Sequence, residues 1–91
     1  MNTLLICYDL FQRTPKAYAA LTQGIKELGS WWHEFDSTWF LTTPLTPVEV
    51  RDVLDPYLRP GDALLVLELP PLWWAASGLD SDDTAWLHER L

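Results

Sequence analysis

Two of the three Thr-Pro pairs constrain this chain more than any other feature, because each of the two marks the start of a helix. In Thr14-Pro15 and again in Thr46-Pro47, a hydroxyl suited to the N-cap precedes a proline suited to the first helical position. Glu49 stands three residues after the second N-cap, which completes the pattern of a capping box. The sequence therefore predicts helices that begin at residues 15 and 47, each after a stretch with strand character.

The stretches around these helices are typical of β-strands. Residues 2–9 and 63–69 are nearly continuous apolar runs of strand length, which suits strands covered on both faces. Residues 30–43 are rich in aromatic and β-branched side chains but are too long for one ordinary strand. Turn chemistry at Asp36-Ser37 predicts two strands joined there, and a single long bent strand is the alternative.

Apolar spacing and stop signals set the expected helix limits. The first helix is predicted over residues 15–28, with Gly29 as its C-terminal stop. Asp55-Pro56 should disturb the end of the second helix, because the residue before a proline avoids the helical region. Ser81 or Asp80 should cap a short final helix. The inner stripe of the second helix is predicted to consist of Val50, Val53, Leu54 and Tyr57.

The element order βαββαβ followed by a tail predicts an α+β fold of the ferredoxin-like kind. Right-handed crossovers give a four-stranded antiparallel sheet of order 4-1-3-2 with both helices on one face. A chain of 91 residues is long enough for one domain only. We therefore expect a single domain over residues 1–91, with its core at about 2–69 and a short helical C-terminal tail at 70–91.

The last predicted strand lies at a sheet edge without the devices that normally protect an edge. Residues 64–67 carry neither charge nor proline. The sheet face away from the two helices also needs cover, and the tail can supply only part of it. These two features predict a homodimer. The interface residues expected on these grounds are Leu64, Val66, Trp73 and Trp74.

Charge and cysteine content limit the partners. A net charge of −7 with no basic stripe disfavours nucleic acid as a partner, because lysine and arginine on phosphates supply most of that affinity. If nucleic acid is contacted at all, Arg13 and Lys16 are the expected contacts. The single Cys7, the absence of a signal-like start and the lack of an apolar run near 18 residues predict a cytoplasmic protein with no membrane association.

Two local signatures lead to a family resemblance. The first strand ends in Tyr8-Asp9, and a later aromatic strand carries Ser37 and Phe40 before Thr46-Pro47 opens the second helix. In this order and spacing, residues 2–69 resemble the small proteins of CRISPR adaptation, the second of the Cas proteins, and their SinR-like and virulence-associated protein D relatives. The resemblance implies a ferredoxin-like homodimer.

The resemblance also implies a possible activity. In that family, an aspartate after the first strand can hold a divalent metal between two subunits and support phosphodiester cleavage. The matching residue is Asp9, the matching serine is Ser37, and the metal would be Mg²⁺ or Mn²⁺. Phe35 stands where the family usually has glutamine, and the DNA-clamping members are more basic than this chain. No cofactor is otherwise implied.

Two residues carry candidate chemistry, each with a structural alternative. Asp9 is a possible metal ligand and catalytic carboxylate, or else it caps the loop that follows the first strand. His33 is a possible acid or base at a strand edge, or else a histidine stacked among the neighbouring aromatic side chains. Two functions therefore remain open: a dimeric interaction or scaffold module without strong catalysis, and a divalent-metal-dependent nuclease that uses Asp9 from both subunits.

Overall fold

The described part of the chain forms four strands and three α-helices. The structure is a computed structural model that describes residues 1–11, 14–70 and 73–91. The strands are β1 (Asn2–Asp9), β2 (Ser30–Phe35), β3 (Thr38–Thr43) and β4 (Ala63–Leu69). The helices are α1 (Pro15–Lys26), α2 (Pro47–Leu54) and α3 (Ser81–Arg90), and a single 3-10 turn (Asp55–Tyr57) follows α2.

The helix starts are those that the sequence predicts. The hydroxyl of Thr14 accepts a hydrogen bond from the backbone N–H of Ala17 at the start of α1. At the start of α2, Thr46 and Glu49 form the reciprocal hydrogen bonds of a capping box. Asp80 caps α3 in the same way, which decides between the two candidate caps. Each cap satisfies N–H groups that have no partner within the helix.

The sheet is antiparallel, with the strand order β2-β3-β1-β4. This is the predicted order read from the opposite edge of the sheet, so the α+β class and the strand order are confirmed. Residues 30–43 form two strands, and Asp36-Ser37 lies in the turn between them, as predicted. A register shift between Trp32 and Phe35 marks a bulge in β2.

The core lies between the sheet and the first two helices. We call the sheet face that carries Leu4, Ile6, Trp39 and Leu41 the helix face, because these side chains are buried in one cluster with residues of α1 and α2. The opposite face, the far face, carries the alternate side chains of each strand. In β1 the far-face side chains are those of Thr3, Leu5, Cys7 and Asp9.

Part of the far face is covered by α3, as the length of the tail predicts. Trp32 is only 5% exposed, and its indole N–H donates a 3.0 Å hydrogen bond to the Asp83 carboxylate. The hydroxyl of Thr3 donates a 3.4 Å hydrogen bond to the Arg90 carbonyl, and Leu87 of α3 is buried. Thus α3 covers the end of the far face that contains the start of β1, and leaves the Cys7–Asp9 end open.

Some local expectations differ from the structure. The α-helix α1 ends at Lys26, two residues before the predicted end, and a turn follows. Gly29 is required for a different reason from the one expected. An added Cβ there would overlap the carbonyl oxygen of Thr42, so close contact between chain segments demands glycine, not a left-handed C-cap. In α2 only Val50 and Leu54 of the predicted inner stripe are buried.

The other two residues of that stripe lie at the surface. Val53 is 44% exposed, because the short helix α2 has too narrow a contact with the sheet to bury it. Tyr57 is also partly exposed, since Asp55-Pro56 ends the α-helix and changes the direction of the chain. Pro56 therefore terminates α2 as predicted. The sequence also predicts that Pro70-Pro71 stops β4, because proline cannot donate a hydrogen bond to a strand ladder. This stop lies partly outside the described residues, because Pro71 is not among them.

Candidate functional site

The free edge of β4 is the first candidate site. Among the strands that the structure describes, β4 is hydrogen-bonded to β1 on one side and forms the sheet edge on the other. Leu64 and Val66 point to the helix face and pack partly buried against the core. Leu65 and Leu67 point to the far face and are 54% and 41% exposed. The exposed apolar side chains of this edge are therefore Leu65 and Leu67.

The residues of this strand that the sequence predicts at a dimer interface are Leu64 and Val66. The structure places them beneath α2, with only part of each side chain accessible. The run ALLVLEL is apolar at both alternating sets of positions, so its pattern does not reveal which set a helix covers. Glu68 shares the helix face with Leu64 and Val66, since it pairs with the buried Leu4 across the sheet.

Two shallow depressions flank this edge. The first has a volume of about 270 Å³ and is lined by Cys7, Tyr8, Asp9, Ala63, Leu64 and Leu65. The second, of about 200 Å³, lies between α2 and β4 and is lined by Pro47, Val48, Arg51, Leu64, Leu65 and Val66. Both are predominantly apolar, and they share Leu64 and Leu65. Together they place accessible apolar surface on both sides of β4.

Asp9 lies at the rim of the first depression. It is the last residue of β1, is exposed, and pairs with Ala63 at the start of β4. Cys7, two residues earlier, is half-buried on the same face and not in the core, where a lone cysteine is most often found. The Thr38 hydroxyl lies 4.0 Å from its sulfur.

The chain beyond Asp9 is held in place by Asp62. One oxygen of the Asp62 carboxylate accepts a 2.7 Å hydrogen bond from the backbone N–H of Phe11, and the other accepts one of 2.9 Å from the backbone N–H of Arg59. These two N–H donors hold the pKa of Asp62 below its usual value, because they stabilise the ionised form. The carboxylate thus ties the exit of β1 to the turn before β4. No sequence motif indicated this contact.

Tyr8 is the buried polar group next to Asp9. Its phenolic oxygen accepts a 3.0 Å hydrogen bond from the indole N–H of Trp39, and its backbone N–H donates to the carbonyl of Ser37. Burial raises the pKa of Tyr8 above its usual value, more than the bond from Trp39 lowers it. Tyr8 is therefore neutral and serves packing and strand positioning. Ser37 is a turn residue.

His33 has a stacked position. Its ring lies 3.9 Å from that of Trp39 at an interplanar angle of 9°, and its Nε2 is 3.1 Å from the carbonyl oxygen of Asp36. Both contacts belong to the helix face at the β2–β3 hairpin, whereas Asp9 lies at the end of β1 toward β4. The structure therefore places His33 and Asp9 in separate environments, and gives His33 the geometry of the stacked alternative.

Two basic side chains of the described residues contact groups other than Asp9. Lys26 lies over the rings of Trp31 and Trp39, at 4.9 and 6.0 Å from their centroids. Arg51 pairs with Asp52 at 2.9 Å and lines the second depression, not the one that contains Asp9. Lys16 is exposed in the first turn of α1. Arg13 lies outside the described residues.

The two tail tryptophans expected at an interface differ in environment. Trp73 is 99% exposed, whereas Trp74 is partly buried with its ring 4.8 Å from that of His88. A fully exposed indole is an unfavourable surface to leave in water and is typical of a contact residue. Trp74 instead helps to attach the segment before α3 to that helix.

A metal site within one chain needs more ligands than this region supplies. Across residues 1–11, 14–70 and 73–91, no group of three or more His, Cys, Asp or Glu side chains is placed to share an ion. Asp9 offers one carboxylate and the nearby Cys7 a soft thiol, whereas Mg²⁺ prefers several oxygen ligands. A divalent ion at Asp9 would therefore depend on ligands from a second copy of the chain or from a substrate.

Comparison with known proteins gives no family by similarity. No family model, no curated protein and no solved structure matches this chain. Among the helices that the structure describes, none has the length and apolar character needed to cross a lipid bilayer. The features of this chain that bear on its function are the β4 edge, the two depressions beside it and the position of Asp9.

Proposed function

We propose that this chain is a small homodimeric interaction or scaffold module with a ferredoxin-like arrangement, similar to the SinR-like relatives of the CRISPR-adaptation proteins and without strong catalysis. The observation that carries the proposal is the exposure of Leu65 and Leu67 on an edge strand that is not shielded by charge at these positions. Natural proteins rarely leave a long apolar edge open. Pairing with a second copy of the same chain covers this edge without a different partner protein.

The arrangement of charge supports an interaction role over catalysis on nucleic acid. Among the described residues, Lys26 lies over tryptophan rings, Arg51 pairs with Asp52, and Arg90 pairs with Glu89. With six basic residues in the whole chain, little positive charge is available to neutralise phosphates, on which nucleic-acid affinity depends. A net charge of −7 opposes a polyanion further.

Light scattering behind size exclusion tests the proposal. At micromolar concentration we expect a mass of about twice 10.5 kDa. Leu65→Lys places a charge in the exposed apolar edge and should shift the protein toward the monomer. Val53→Lys is the matched control, because Val53 is exposed to a similar extent on α2. A wild-type protein that stays monomeric at this concentration would refute the proposal.

Metal-dependent phosphodiester cleavage is the second candidate, and the exposed position of Asp9 at the end of β1 favours it. A shared metal requires the two Asp9 carboxylates to approach within about 5 Å of each other, since metal–oxygen distances are about 2.0–2.6 Å. Packing of two far faces against each other would direct both Asp9 side chains into the interface. A dimer formed at the β4 edges would instead keep the two β1 strands three strand spacings apart, about 14 Å.

A further inference from the structure

We propose that two copies of this chain pair their β4 strands antiparallel across a two-fold axis at Val66, and that Arg51 of each copy forms an ion pair with Glu68 of the other. This inference rests on the proposed dimer and specifies its interface. The two sheets would join into one continuous sheet, with the helix faces of both copies on the same side. The interface would be isologous, so each contact would occur twice.

The register follows from the length and chemistry of β4. Val66 is the midpoint of Ala63–Leu69, so a two-fold axis there pairs all seven residues of the strand. Leu65 then faces Leu67 of the other copy on the far face, and these two exposed side chains cover each other. Cross-strand pairs of this kind, with Cβ atoms about 4.5–5.5 Å apart, are the contacts that stabilise a sheet.

Charge complementarity favours this register over those with the axis at Leu65 or at Glu68. With the axis at Val66, Glu68 stands opposite Leu64 of the other copy, on the helix face. Arg51 lines the depression beside Leu64 and Val66, so the guanidinium group is within reach of that carboxylate. An axis at Leu65 would place Glu68 opposite Asp62, and an axis at Glu68 would oppose two glutamates. Like charges directly opposite each other destabilise a strand pair.

Arg51 is free to change its pairing. Its contact with Asp52 is between adjacent residues, and the two side chains are 59% and 61% exposed. An exposed pair of this kind contributes little to stability, so its loss does not oppose the new contact. The second depression, which Arg51 lines together with Val48, provides space beside β4 for the side chains of an added strand.

Charge reversal tests this pairing. Arg51→Glu places two carboxylates against each other at both symmetry-related contacts of the dimer, and Glu68→Arg places two guanidinium groups there. We expect each variant to raise the dimer dissociation constant about tenfold or more, since two attractive contacts become repulsive. In a heterodimer of the two variants, each of the two contacts brings together one carboxylate and one guanidinium group, so mixing them should restore affinity. The double variant exchanges the two charges within each chain, so every facing pair is again opposite in sign. It should therefore dimerise with nearly wild-type affinity.

Glu34→Arg is the matched control. It makes the same change in net charge as Glu68→Arg at an exposed position of β2, which is the opposite edge strand of the sheet. It should leave the dissociation constant unchanged, and circular dichroism should show all variants folded. If the wild type is dimeric but Arg51→Glu and Glu68→Arg behave like Glu34→Arg, or if the double variant does not regain association, the β4 pairing is refuted while the dimer itself stands. A monomeric wild type would instead refute the proposed function.

Discussion

The indole nitrogen of Trp39 donates a 3.0 Å hydrogen bond to the phenolic oxygen of Tyr8, inside the core between β3 and β1. Trp39 is 1% exposed and Tyr8 is 6% exposed, so water does not replace the bond if it is lost. This hydrogen bond fixes the position of the Tyr8 side chain, directly before Asp9. It thereby holds the end of β1 against the β2–β3 hairpin. It joins two residues 31 positions apart in the sequence.

The first prediction concerns this bond. Tyr8→Phe leaves the buried indole N–H without its acceptor and should cost about 1–3 kcal/mol of the free energy of unfolding. Trp39→Phe also removes buried volume and should cost about 3 kcal/mol or more. The double variant should be less destabilised than the sum of the two, by about 1 kcal/mol, when measured by urea denaturation. Strict additivity would show that the bond contributes nothing.

Tyr8 also predicts a pH dependence at the alkaline end. Its folded pKa lies above the usual value of 10.0, because burial penalises the charged form. The unfolded chain therefore loses this proton first as the pH rises. The contribution of Tyr8 to stability is complete below about pH 10 and is lost as the pH rises toward the folded pKa. Tyr8→Phe should lack this component, so its stability should fall less between about pH 9 and pH 11 than that of the wild type.

The third prediction concerns Asp62 and acid. Its folded pKa lies below 3.8, since the N–H groups of Arg59 and Phe11 stabilise the carboxylate. The unfolded chain therefore takes up this proton first as the pH falls. The stabilisation is present above about pH 4 and is lost as the pH falls through the folded pKa. Asp62→Asn should show a smaller loss of stability between about pH 5 and pH 2. An acid profile identical to that of the wild type would contradict the role given to this carboxylate.

The tail is predicted to be part of the fold. Leu87 of α3 is 4% exposed, and Leu87→Ala should lower the free energy of unfolding by about 2–4 kcal/mol. Trp73→Ala removes a larger side chain from the same tail at 99% exposure, and should leave the stability of the dilute chain unchanged.

Truncation after Pro70 removes α3 and should give an insoluble or strongly destabilised product. A truncated chain as stable as the parent would show that α3 is not needed to cover the far face.

The last prediction separates the two functions through Asp9. We expect neither the wild type nor Asp9→Asn to cleave RNA or DNA with Mg²⁺ or Mn²⁺, because one chain brings a single carboxylate to this rim. The substitution should remain folded and cost at most about 2 kcal/mol, as the loss of a cap does. Cleavage by the wild type at neutral pH that Asp9→Asn abolishes would assign the chain to the nucleases. A divalent ion at Asp9 would then take its other ligands from a second copy of the chain or from the substrate.

The signals that act within a few residues could be taken from the sequence. Thr14, Thr46 and Asp80 start their helices, and the turn at Asp36-Ser37 divides an aromatic stretch into two strands, because caps and turns depend on side chains close to the backbone groups they serve. Chain connectivity then restricts the sheet to few topologies, so the strand order was also predictable. The position of Asp9 at the end of a strand follows from the same local pattern.

The contacts between distant segments were decided only by the tertiary structure. An unbroken apolar strand has no alternation, so only the packing of α2 shows that Leu64 and Val66 are covered and that Leu65 is exposed. The tie from Asp62 to Phe11 spans 51 positions, and Gly29 is required by a carbonyl from another strand. Local propensity acts within a turn or two of the backbone. The burial of a side chain depends instead on which distant segment of the chain packs against it. The local sequence thus determined the helices and strands and their order. The packing determined which side chains stay exposed and can contact a partner.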